Sequence, residues 1–229
     1  MYYLDSTFIL VIIGALLCLA ASAKVKSTFK KYSKIRSLSG VTGAEAAERV
    51  LRAAGIFDVT VQQVSGDLTD HYDPRDKTLK LSNTVFGQSS VAAIGVAAHE
   101  CGHAIQHNKG YVPLRLRGAF VPIANFGSKI SWPLIIVGML LGRSQPLIGL
   151  GIIMFSFAVL FQLITLPVEF NASSRAVVIL GETGILHGEE LTQTKKVLNA
   201  AALTYVAGAA ASILQLLRLL LLFGGRSRD

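Results

Sequence analysis

Four stretches of this chain are too long and too apolar to be read as the interior of a soluble domain. Residues 7–23, TFILVIIGALLCLAASA, carry no charge and have about the minimum length for a helix that crosses a hydrocarbon core. Similar runs lie at about 119–142, 146–167 and 200–223, and the polar tip Arg143-Ser144-Gln145 separates the second from the third. They account for a hydrophobic share of 52%, above that of an ordinary soluble domain. The first run reads as a span and not as a cleaved signal peptide, because only Asp5 precedes it and the positive charges follow. Lys129, Pro122 and Pro133 interrupt the second, so its crossing is expected to begin nearer Ile130 and to be short or tilted. Arg218, close to the end of the fourth, is expected to snorkel.

The cations set the expected orientation. Lys24, Lys26, Lys30, Lys31, Lys34 and Arg36 follow the first span directly, whereas the tip between spans two and three has only Arg143. Positive charge is retained on the cytoplasmic side. The expected organisation is therefore a first span over residues 1–23, a cytoplasmic segment over 24–118, a transmembrane hairpin over 119–167, a second cytoplasmic segment over 168–199, and a fourth span with its tail over 200–229. The net charge of +8 is explained by this topology and by contact with the lipid bilayer. A juxtamembrane cation run without interleaved aromatics gives no reason to expect nucleic acid. Two cysteines, Cys18 in the first span and Cys101, exclude a disulfide framework.

In the first cytoplasmic segment, Thr42-Gly43-Ala44-Glu45 has the capping-box pattern, and an amphipathic helix should run from it to Gly55. Short strands are expected near 59–64, 68–72 and 78–82, the last two as a hairpin around the turn signal Asp73-Pro74-Arg75-Asp76. Ser89 or Ser90 can cap a helix from about 90 to 108.

That last helix ends in HECGHAIQH, which holds three of the chain's five histidines in nine positions. Each helical residue turns about 100°, so His99 and His103 fall about 40° apart on one face, one turn above the other. Two imidazoles so placed can bind one metal ion, and Glu100 beside them is placed to take a proton from an activated water. Gly102 leaves room between the two ligands, and Ala97, Ala98 and Ala104 keep the neighbouring surface small. If these were only polar residues ending a helix, burying them on an apolar surface without a partner would be costly.

A third ligand must come from the same side of the membrane. His187 qualifies, but Glu169 is the better candidate. It stands in LPVEFNASSRA directly after the third span, where Pro167 can begin a new helical turn and Ala172, Ser173 and Ser174 allow close packing. An even number of crossings returns it to the face that holds His99 and His103. His107 drifts a further 40° from the metal axis and is read as a supporting residue, Cys101 as a small core residue. His71 and Tyr72 are open between a loop role and steadying an oxyanion.

AAHECGHAIQH followed by LPVEFNASSRA, with SGDLTDHYDPRDKTLKLS before them, resembles the YugP-like neutral zinc metallopeptidases of bacterial membranes over nearly the whole chain. The resemblance implies a gluzincin arrangement, with one zinc ion held by His99, His103 and Glu169 and with Glu100 as catalytic base. Related membrane gluzincins place an aspartate four residues after the third ligand; here that position is Ser173, with Asn171 nearby to assist. The expected fold is a mainly α membrane protein with about four transmembrane helices and a cytoplasmic α+β zincin-like catalytic part, made of short strands and the H-E-x-x-H helix, in the bacterial cell membrane. The expected reaction is hydrolysis of peptide bonds in peptides or membrane proteins, with the strand at 78–82 offering an edge to an extended substrate. A metal-binding scaffold without turnover would have no need of Glu100, and a transporter would show repeated halves, which this chain lacks.

Overall fold

The structure, a computed structural model, describes residues 5–224. The outermost parts of the first and last segments expected above, 1–4 and 225–229, lie outside the described residues. Helices α1 (Phe8–Tyr32), α2 (Gly43–Ala53), α3 (Val91–Asn108), α4 (Val112–Leu140), α5 (Gln145–Glu182) and α6 (Gly188–Phe223) dominate. Strands β1 (Thr60–Val64), β2 (His71–Asp73) and β3 (Thr78–Ser82) form one small sheet. Helices α1, α4, α5 and α6 are each long and apolar enough to cross a membrane.

The chain divides into two compact units. The first comprises the residues up to Ser22, Arg115–Pro167 and those from Thr204. Its helices meet through small residues. A Cβ on Gly14 of α1 would stand 3.1 Å from the Cα of Ala211 in α6, and one on Gly151 of α5 would stand 2.8 Å from the carbonyl oxygen of Ser131 in α4. Such close backbone approach is how helices associate where lipid removes the hydrophobic drive between them. The α4–α5 tip turns through Gly142 and Arg143, both in the left-handed region, and Ser144 N–H donates to the carbonyl of Gly138 at 2.8 Å.

One expectation for this unit changes. Helix α5 runs through Pro167, which starts no new turn; α4 likewise runs unbroken from Val112 through Pro122 and Pro133. Membrane helices tolerate proline because the freed carbonyls are satisfied by local adjustment and by neighbours. The Arg218 head reaches Asp5, which precedes the first apolar run: its Nη2 is 3.0 Å from Asp5 Oδ2, and its guanidinium lies 5.5 Å from the Phe8 ring centroid.

The second unit comprises Ala23–Leu114 and Val168–Leu203. Helix α2 starts on a complete capping box, with Thr42 Oγ1 accepting from Glu45 N–H and Glu45 accepting from Thr42 N–H. It ends before Gly55, whose φ of +74° gives the left-handed stop that glycine permits. The sheet order is β1-β3-β2, with β1 parallel and β2 antiparallel to β3. The expected hairpin forms, but β3 is the central strand, so it offers no edge to a substrate. Its burial agrees: Leu79 and Leu81 are fully buried, whereas β1 is mostly exposed. Val50 and Leu51 of α2, Leu79 and Leu81 of β3, Ile94, Ala97, Ala98, Cys101 and Ile105 of α3, and Ala176 and Leu180 of α5 share one core.

Candidate metal centre

Helix α3 is held at its start from two directions. Ser90 caps it by accepting from Ala93 N–H at 3.2 Å. The chain leaving α1 pairs with the same point, through Val91 N–H to Ile35 O and Ser37 N–H to Ser89 O. Ala97, Ala98, Cys101 and Ala104 fill the core, which turns His99 and His103 to the other side, both only partly exposed.

Helix α5 crosses α3 at Gly102. A Cβ there would stand 2.5 Å from the carbonyl oxygen of Ala172, a backbone atom with no freedom to withdraw. Only glycine lets the helices approach so closely, and the approach brings Glu169, itself 2% exposed, to the two histidines. Glu169 Oε2 lies 3.4 Å from His99 Nε2 and 3.6 Å from His103 Nε2. One ligand atom from each of the three residues falls within 4.8 Å of the others.

The far nitrogens are engaged as well. His103 Nδ1 is 3.1 Å from Gln106 Oε1, and Gln106 Nε2 donates to the Val168 carbonyl at 2.8 Å and to Asn171 Oδ1 at 3.0 Å. Asn171 Oδ1 also accepts from Arg175 Nε at 2.7 Å. These donors fix the amide orientations: Gln106 must present its oxygen to His103, so His103 must carry its proton on Nδ1 and its lone pair on Nε2. His99 Nδ1 reaches Ser173 Oγ at 3.0 Å. The serine at the expected aspartate position thus contacts a histidine, although it brings no charge. Asn171 acts one step further out, through Gln106.

The donor set fits zinc. Two donors at about 2.05 Å from one ion, at the tetrahedral angle, stand about 3.3 Å apart. Two imidazole nitrogens and one carboxylate oxygen converge here at comparable separations, an arrangement that could hold a metal ion. Burial pulls the His103 imidazolium down in pKa, but the nearby carboxylates Glu169 and Glu100 outweigh it and hold the ring above its ordinary value. A proton therefore competes with metal at this nitrogen.

Glu100 is buried at the ligand helix, within electrostatic reach of both His103 and Asp70. Asp70 is raised by burial, with the Glu100 charge adding to the rise, while bonds from Ser82 N–H and Oγ oppose it. His187 lies outside the metal-capable group, and so does His107, which is exposed and meets Tyr72 OH at 2.8 Å through Nδ1. His71 Nδ1 faces the carbonyl of Thr69. Cys101 is fully buried in the core, with its thiol pushed well up by burial. Gln106 was not anticipated from sequence; its one signal is a polar residue three positions after a ligand on a buried stretch of helix.

A family described as "Putative neutral zinc metallopeptidase" matches residues 7–224. The "Putative membrane protease YugP" of Bacillus subtilis (strain 168) is 53% identical over 224 residues, covering 97% of this chain and 99% of that protein. No solved structure matches the chain.

Proposed function

The chain belongs to this family of zinc metallopeptidases, and on that premise we propose that it is a multi-pass bacterial membrane protease of gluzincin type, holding one zinc ion on His99, His103 and Glu169. The convergence of Nε2, Nε2 and Oε2 carries the reading. When bound, zinc supplies Lewis acidity, which acidifies a water and polarises the scissile carbonyl. Glu100 accepts the proton that the water loses on attacking the carbonyl carbon. The same carboxylic acid returns that proton to the leaving amine as the C–N bond breaks, so Glu100 ends the cycle ionised. Gln106 and Ser173 hold the two rings with Nε2 facing inwards. The catalytic part stands on the cytoplasmic side, where its substrates are peptides or membrane proteins.

The test is metal content and cleavage together. The purified protein should hold about one zinc per chain, by the usual complement of a catalytic site, and His99→Ala, His103→Ala or Glu169→Ala should each lose it. Glu100→Gln should keep the zinc and lose roughly 10²- to 10⁴-fold in cleavage of an unstructured reporter. Equal cleavage by Glu100→Gln would sink the mechanism. If neither protein cleaved a wide panel of unfolded and membrane substrates, a non-catalytic metal-binding scaffold would replace it.

A further inference from the structure

From the placement of Lys129 we propose that α4 is a docking face for a partner transmembrane helix that carries a carboxylate near the middle of the bilayer. Lys129 lies twelve residues from Arg117 and twelve from Leu141, where the α4–α5 tip begins. At 1.5 Å per residue it stands about 18 Å along the helix from each of these positions. A tilt of about 40° still leaves about 14 Å. A lysine side chain reaches about 6 Å, too little to bring its ammonium to a headgroup.

Nor does the lysine turn inwards. Ala124, Gly127, Ser131, Ile135 and Gly138 are the buried stripe of α4, and Gly127 and Gly138 pack on Met154 and Ile148 of α5. That stripe lies about 120° to 180° around the helix from Lys129. Lys129 shares the outer face with exposed Asn125, Phe126, Trp132 and Ile136. A charge at this depth is costly unless it meets a partner.

The chemistry of the occupant follows from what the chain lacks. No Asp or Glu occurs between Glu100 and Glu169. The one carboxylate in the described part of the membrane unit, Asp5, is bonded to Arg218. A second copy therefore has no acid to offer, and phosphate headgroups do not reach the middle of the bilayer. A helix from another protein, with Asp or Glu at mid-depth, would supply the charge, while Phe126, Trp132 and Ile136 pack beside it and Asn125 adds a hydrogen-bonding group. This inference does not depend on the protease reading.

The experiment uses full-length protein in phosphatidylcholine vesicles, labelled at Ser144→Cys, and dye-labelled Leu/Ala transmembrane peptides with Asp, Asn or Leu at the centre. Energy transfer should show the Asp peptide binding at least tenfold tighter than the Asn and Leu peptides, and Lys129→Leu should abolish that preference. Lys129→Glu should in turn prefer a peptide with central Lys, which shows that a variant which loses the Asp peptide is still folded. Equal binding of the three peptides to the parent protein would overturn the proposal. So would self-association of the parent that Lys129→Leu removes, since that would make a second copy the occupant. A spin label at position 129 reporting headgroup depth would also overturn it.

Discussion

Gln106 decides which nitrogen of His103 faces the metal position. It is fully buried, and its amide is oriented by two acceptors, the Val168 carbonyl and Asn171. Gln106→Leu fills similar space but offers no acceptor to Nδ1–H and leaves the buried Val168 carbonyl without this donor. Loss of such an outer contact typically weakens metal binding about 10- to 100-fold. Competition against a zinc chelator should show that loss, and Gln106→Glu, which still presents an oxygen to Nδ1, should lose less. Equal affinity in Gln106→Leu and the parent would mean that the ring is positioned by packing alone. At this scale the three candidate ligands were legible because helical spacing pairs His99 with His103 and crossing parity returns Glu169. Gln106 was not legible, because its role depends on a carbonyl 62 positions away, and nothing local marks such a partner.

Among the elements, the crossing of α3 and α5 sets the geometry of the candidate metal site, and Gly102 sets the crossing. Gly102→Ala places a methyl 2.5 Å from the Ala172 carbonyl oxygen. Relief requires one helix to withdraw by roughly 1 Å, beyond the tolerance of about 0.5 Å for such a site. Overpacking of this kind costs about 1–3 kcal/mol. The variant should lose zinc as well as stability, by metal analysis and thermal unfolding. Gly95→Ala, one helix position where the new methyl meets the side chain of Thr194 instead of backbone, should keep its zinc. Loss of zinc in both, or in neither, would show that the Gly102 crossing is not what holds the ligands together. Of the elements, α2, α3 and the β2–β3 hairpin were legible from local signals, namely a capping box, a serine cap and a turn sequence. The parallel pairing of β1 with β3 was not, because it joins strands across an intervening one. Nor was the continuity of α5 through Pro167, since the sequence shows the broken donor but not the packing that tolerates it.

At the scale of the whole molecule, the metal centre and the charges constrain topology separately. Because His99 and His103 stand 3.4 and 3.6 Å from Glu169, the chain between them must cross the membrane an even number of times, and α4 and α5 supply two crossings if both span. That argument places both ligand segments on one side without saying which. The cations favour one side: Lys24, Lys26, Lys30, Lys31, Lys34 and Arg36 follow α1's apolar run, Arg115 and Arg117 lie at the start of α4, and Lys195 and Lys196 lie near the start of α6, against Arg143 alone at the α4–α5 tip. By the positive-inside bias, the side proposed for these segments is the cytoplasmic one. Cysteines at Lys34 and Lys195, in a Cys18→Ala background, should therefore be protected from a membrane-impermeant thiol reagent in intact cells and become labelled once the cells are permeabilised. Both positions are exposed, so burial does not explain protection. The remaining Cys101 is fully buried with a thiol that burial keeps protonated, so it adds little background. A cysteine at Ser144 should be labelled in intact cells. Labelling at Lys34 and Lys195 with protection at Ser144 would invert the molecule and put the metal centre outside the cell. Labelling at only one of Lys34 and Lys195 would be worse for the reading, because it would separate segments that the ligand geometry requires to lie together.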